Sequence, residues 1–168
     1  FNMLEVHEGE LRLAHSVLEN AAPGVGGLAP AERFGRGTNL PATIFVRGGQ
    51  PVLLDNQIRN NAATALTINA NALTHQRQPD PGRGTGLLDE APRFEENQGP
   101  LVRECSGCNN SLNGMVVRGE TLTTESVWDD TDIVHVLFDQ VIVPNFHTYG
   151  GLRLQSSPTD RLVVKFSG

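Results

Sequence analysis

The sequence predicts an all-β protein wound as a solenoid of stacked parallel coils, and three observations carry that reading. First, the chain repeats itself: HSVLENAA (His15 to Ala22), NQIRNNAA (Asn56 to Ala63) and CNNSLNGMVV (Cys108 to Val117) share one pattern of short apolar-x-apolar pairs followed by asparagine and small residues. The first two align at a shift of 41, which places Leu11 on Val52, Leu13 on Leu54, Val17 on Ile58 and Asn20 on Asn61. The second and third align at a shift of 49, with Asn60, Asn61, Leu66, Ile68, Ala70 and Leu73 on Asn109, Asn110, Met115, Val117, Gly119 and Leu122. Self-similarity at such a spacing signals stacked supersecondary units. Second, the apolar stretches are short and alternate with polar residues, the period-2 mark of half-buried strands. Third, no window sustains apolar spacing at i, i+3, i+4 and i+7, so almost no helix is expected.

Taken in order, the expected strands are Leu4–Val6, Leu11–His15, Thr43–Val46, Val52–Leu54, Ala65–Ile68, Met115–Val117, Ile133–Phe138, Val141–Val143, Leu152–Leu154 and Leu162–Phe166. Ile44 to Gly48 (IFVRG) echoes Met115 to Gly119 (MVVRG), a further internal match. In a parallel coil the inward side chains pile into files, here of Val, Ile and Leu. Asparagine suits the corners because its side chain bonds locally and tolerates left-handed backbone. Asn20, Asn61 and Asn110 are expected to form one such file, an amide ladder; the competing reading makes them unrelated turn residues. Two long insertions interrupt the strands, Ala22 to Leu40 and Thr74 to Pro100. They are expected to protrude from a corner of a single domain spanning residues 1–168 and to carry any binding surface.

Composition limits the function classes. Hydrophobic residues make up 38% and aromatics 5%, with 18 Gly and 10 Pro, which suits thin coils with frequent turns. The formal net charge is −6 and the 13 basic residues are scattered, so no basic stripe exists to neutralise phosphates and nucleic-acid binding is disfavoured. No run approaches 18 apolar residues, and no membrane span is expected. Phe1 opens in mid-pattern without an initiator Met or a secretory leader, as expected if a leader was removed or, the favoured reading, if this is a segment of a longer polypeptide.

The stretch Thr43 to Leu73, with strand, turn asparagine and strand again, resembles the right-handed parallel β-helix family, also called pectate-lyase-like. GETLTTESVWDDTDIVHVL (Gly119 to Leu137) and NFHTYGGLRLQSSPTDRLVVKF (Asn145 to Phe166) resemble segments of very large secreted bacterial surface proteins. The first resemblance implies the handedness of the coil; the second implies an extracellular or cell-surface setting.

The densest polar cluster is Trp128-Asp129-Asp130-Thr131-Asp132. Three carboxylates within four residues suit Ca²⁺, which takes several oxygen ligands at once, and calcium is the only cofactor the sequence suggests. Paired aspartates also serve β-helical glycosidases, but the Gly-His-Gly and Arg-x-Lys motifs that such a resemblance requires are missing. A third reading makes the cluster a turn whose carboxylates cap backbone amides. Cys105 and Cys108 form a lone Cys-x-x-Cys without a second ligand pair for zinc or a βαβ context for redox chemistry. A local disulfide is the expectation, with free or intermolecular thiols as the alternative. The five histidines show no ligand spacing.

The chain opens on an apolar strand and runs Leu162-Val163-Val164-Lys165-Phe166 near its end. Unpaired first and last rungs template pairing with another chain. The sequence therefore predicts a non-enzymatic extracellular structural module, a surface fibre or scaffold, that stacks head to tail or continues in a longer parent. The rival expectations are a carbohydrate-active lyase or hydrolase and a glycan-binding or adhesive module.

Overall fold

The computed structural model describes residues 3–21, 42–74, 94, 96–145 and 151–167. Most of both expected insertions, 22–41 and 75–93, lies outside them. The described residues are almost entirely β, with one short 3-10 turn at Ala70–Ala72. The strands are β1 (Leu4–His7), β2 (Arg12–Ala14), β3 (Val17–Glu19), β4 (Ala42–Arg47), β5 (Val52–Leu54), β6 (Gln57–Arg59) and β7 (Thr64–Asn69). They continue as β8 (Leu101–Arg103), β9 (Ser106–Cys108), β10 (Leu112–Arg118), β11 (Glu125–Trp128), β12 (His135–Leu137), β13 (Gly151–Leu154) and β14 (Val164–Phe166).

Every sheet is parallel, and the chain visits them in rotation. The largest runs β1-β4-β7-β10-β12-β14; two others run β2-β5-β8 and β3-β6-β9, and β11 pairs with β13. Each circuit thus lays its strands beside those of the circuit before. Parallel strands cannot be joined by tight hairpins, so consecutive strands go to different sheets.

What turns the chain between sheets is one residue at a time. Among the described residues, positive φ outside glycine occurs at Glu8, His15, Asn20, Asp55, Asn60, Glu104 and Asn109. These fall into files: His15, Asp55 and Glu104 lie between the β2-type and β3-type strands, Asn20, Asn60 and Asn109 follow the β3-type strands, and Glu8 lies beside Gly48, whose φ is +72°. A left-handed residue costs roughly 1–2 kcal/mol unless it is Gly, Asn or Asp. Asparagine at all three positions of the second file is the low-cost solution, and Glu8, His15 and Glu104 are the expensive ones.

The side chains follow the register. In the large sheet one inward file is Ile44, Leu66, Met115 and His135, and another is Val46, Ile68 and Val117. All seven are fully buried, at 0% exposure. The residues between them, Phe45, Thr67, Val116 and Val136, are buried as well, with the Arg118 guanidinium 5.3 Å from the Phe45 ring centre. Burial on both faces explains why TIFVR and MVVR read as near-continuous apolar runs. The register slips once, between Leu112 and Met115 of β10, where a bulge adds a residue.

The alignment at 41 is corrected to a register of 40. Arg12 pairs with Val52, Leu13 with Leu53 and Leu18 with Ile58, so Val17 sits opposite Gln57, with 51% of its surface exposed. A slip of one residue moves a side chain to the other face of a strand. The alignment at 49 agrees with the pairing of Leu66 with Met115 and of Ile58 with Gly107. Of the expected strands, Val141–Val143 contributes only an isolated bridge from Ile142 to Thr121. Five strands lie outside those the sequence predicts: β3, β6, β8, β9 and β11.

If the corner file sets the register, Asn60→Gly should change stability by less than about 0.5 kcal/mol, while Asn60→Ile should lose about 1–2 kcal/mol to backbone strain alone. Urea unfolding of the two variants separates them.

Candidate functional site

The residue after each left-handed corner of the His15 and Asn20 files turns its side chain back toward the interior, and there the polar chemistry concentrates. After the Asn20/Asn60/Asn109 file come Ala21, Asn61 and Asn110. Asn61 accepts the Ala21 N–H at its Oδ1 (2.8 Å) and donates from Nδ2 to the Leu18 carbonyl (3.2 Å) and to Asn110 Oδ1 (2.7 Å). Asn110 also accepts the Asn61 N–H (3.2 Å) and donates to the Ile58 carbonyl (2.7 Å). Asn61 and Asn110 are therefore joined in one amide column. Asn20 stands one residue away, in the corner file: its N–H donates to the Asn60 carbonyl, and Ala21 occupies the column position.

The same device recurs after His15, Asp55 and Glu104, with Ser16, Asn56 and Cys105 in the column. Asn56 accepts the Ser16 N–H (3.0 Å) and donates to the Leu13 carbonyl (2.8 Å). One circuit on, the Cys105 thiol donates to the Leu53 carbonyl (3.4 Å), the bond that an asparagine amide makes in the circuit below. Cys105 is thus a thiol in an amide's place. Burial raises its pKa, the Asn56 hydrogen bonds oppose the shift, and the nearby Asp132 and Asp55 carboxylates add to it.

That placement bears on the expected disulfide. Cys105 faces the interior, whereas Cys108 lies outward in the file of Glu19 and Arg59. Both are free thiols. Three extended residue steps separate their Cα atoms by about 10 Å, beyond the roughly 7 Å a disulfide can span.

The aspartate cluster forms a strap along the open edge of β8. Asp129 accepts the Gln98 N–H (2.8 Å), Asp130 the Val102 N–H (2.8 Å) and Asp132 the Glu104 N–H (2.6 Å). Arg103 binds the strap from the other side: it donates to Thr131 Oγ1 and to the Asp129 carbonyl (2.9 Å), and it approaches Asp132 to 3.9 Å. The three carboxylates point at three separate backbone N–H groups instead of converging as a Ca²⁺ site at Asp129, Asp130 and Asp132 requires. Among the described residues no group of three or more His, Cys, Asp or Glu side chains is placed to hold a metal ion. Asp130 is 1% exposed, so it cannot meet a sugar as one of a catalytic pair. Burial holds its proton well above the usual carboxylate range, with the Val102 N–H opposing and the Asp129 charge reinforcing.

Sequence reasoning missed the pair beneath the strap. Trp128 and His135 are fully buried and stacked, with ring centres 5.5 Å apart and planes 10° from parallel. Trp128 donates to Ser126, which donates to the Leu73 carbonyl. Neither ring nitrogen of His135 has a hydrogen-bond partner; the Ile133 backbone lies near enough to favour the charged ring slightly, but not in bonding geometry. Burial therefore lowers the His135 pKa to about 4. A histidine among Met115 and Val164 in an inward file was detectable only once the register was known.

No protein family, no curated protein and no solved structure matches this chain.

Two outcomes test this polar framework. Asn61→Ala leaves the Ala21 N–H and the Leu18 carbonyl without their partner, at roughly 1–3 kcal/mol per unmade bond; a loss of about 2–4 kcal/mol in denaturant unfolding is expected. For His135 the unfolded chain binds a proton below pH 6.5 and the folded chain only below about 4. Stability should therefore fall as pH drops through that window, by about 3 kcal/mol in all. Asp130 has the opposite sign, since its folded state holds the proton more tightly. In His135→Leu the fall between pH 6.5 and 4 should disappear or reverse, as read from urea midpoints across that range.

Proposed function

We propose that this chain is a right-handed parallel β-helix whose work is structural: an extracellular scaffold module that extends by adding coils to its terminal rungs. The observation that carries the reading is the six-stranded parallel sheet, with β1 and β14 at its two margins. Among the described residues neither margin has a strand on its outer side, and apolar side chains stand exposed there: Leu4 at one end (41%), Val163 and Phe166 at the other (40% and 83%). A parallel margin of this kind presents unpaired N–H and C=O groups in the register of the next rung. The contact joins two different surfaces, so it repeats as an open filament.

Other features support the same reading. The chain's successive return to the same sheets is the path of a coil, and parallel crossovers are right-handed in about 98% of cases. The densest acidic cluster is engaged in bracing the backbone through Asp129, Asp130 and Asp132. The extracellular setting rests on the resemblance of Gly119 to Phe166 to segments of secreted surface proteins.

Head-to-tail addition predicts rods of uniform width in negative-stain images, with sedimentation coefficients that rise with concentration. Phe166→Lys and Leu4→Lys should each return the chain to monomers without lowering its melting temperature. Uniformly monomeric wild-type particles at high concentration would refute assembly.

A further inference from the structure

The geometry points to a lateral docking cleft on the outer edge of β9, which accepts an extended partner segment carrying a basic residue two positions before an aliphatic one. It lies on the flank of the coil and does not depend on what happens at the terminal rungs.

The cleft arises because one circuit is cut short. From Met115 to its partner His135 the chain uses 20 residues. The strap follows β8 as far as Glu104, and then Ile133 and Val134 cross directly to β12, skipping the layer that would cover β9. The crossing is tight: the Val134 carbonyl accepts the Met115 N–H at 2.8 Å, and a Cβ on Gly114 would lie 2.9 Å from that oxygen. Among the described residues β9 is left as the last strand of the β3-β6-β9 sheet, with all three of its residues exposed.

The inward column of that sheet is also incomplete. Leu18 packs on Ile58, and Ile58 is followed by Gly107. Where an aliphatic side chain would continue the column there is a cavity of about 210 Å³, walled by Ile58, Ala65, Ile133 and Val134 and bordered by Cys105 and Asp132. A strand laid on β9 would bond its exposed edge and place one side chain in this hole, the β-augmentation mode of peptide recognition. Charge selects the rest of the occupant. Asp132 lines the cavity, and the Asp55 and Asp132 carboxylates both act on Cys105 at its border. A cationic group entering beside Asp132 meets complementary charge, and an acidic one is repelled.

Gly107 supplies the decisive variant. The nearest atoms a Cβ there would meet belong to Asn110 and Asn113, at 3.7–3.9 Å, ordinary contact distances, so Gly107→Val is expected to fill the hole and leave the strand in place. The probe is a dye-labelled pentapeptide, RTVTT, titrated by fluorescence anisotropy, with RTSTT and ETVTT as controls. Saturable binding of RTVTT is expected, at least tenfold weaker for each control and for Gly107→Val at unchanged melting temperature. In a Cys108→Ser background, bound RTVTT should also slow alkylation of Cys105. The proposal is overturned by absence of saturation up to millimolar peptide, by equal binding of RTSTT, or by a Gly107→Val protein that binds undiminished. It is equally overturned by self-association of the chain alone that Gly107→Val abolishes, which would give the edge to a second copy.

Discussion

A corner made by a single left-handed residue is the constraint on which everything else in this molecule rests. His15, Asp55 and Glu104, and then Asn20, Asn60 and Asn109, each turn the chain within one residue, so the next side chain points inward at the same height in every circuit. That inward residue becomes the column: Ser16, Asn56 and Cys105 at one corner, Ala21, Asn61 and Asn110 at the other. Corner strain and column bonding compensate each other, because the left-handed residue exposes backbone groups that the amide of the neighbouring circuit then satisfies.

Above β8 and β9 the same logic breaks down in two different ways. Over β8 the strap answers the unpaired N–H groups with carboxyl oxygens, at the cost of holding Asp130 in full burial, which raises its pKa. Over β9 no strand among the described residues answers them, and Gly107 leaves the column hollow. His135 is a third departure, an imidazole in an aliphatic file whose nitrogens gain no bond in return. Buried polar groups without partners are expensive.

Parallel all-β architecture was legible because inward files on both faces of a sheet leave strong apolar runs, as in TIFVR and MVVR. The exact register was not. Asn60 and Asn61 are adjacent, and identity alone matched Asn20 to the second, whereas its backbone conformation matches the first. The chain keeps a corner asparagine after β3, β6 and β9 but a column asparagine only where Ala21 does not stand, so the letters and the geometry repeat with different offsets. β3 and β6 escaped notice because their corners are His15 and Asp55; no glycine or proline marks the break. The strap was read from composition as a cluster of oxygen ligands. Its actual work depends on which backbone N–H groups lie below it, and those come from residues 28 to 31 positions earlier. Cys105 was hidden for a similar reason: its kinship is with Asn56, which it does not resemble chemically.

Corners of one residue also give the chain two very different tolerances to length change. Circuits of 22, 40 and 49 residues stack in the same large sheet, so whole stretches can be gained or lost between β3 and β4, or between β7 and β8, while the rungs keep their alignment. Removing a single residue between β2 and β3, by contrast, would turn the following strand inside out. Such a chain is thus free to trade long segments between strands, while a slip of one residue inside a corner is tolerated only where a bulge absorbs it, as in β10.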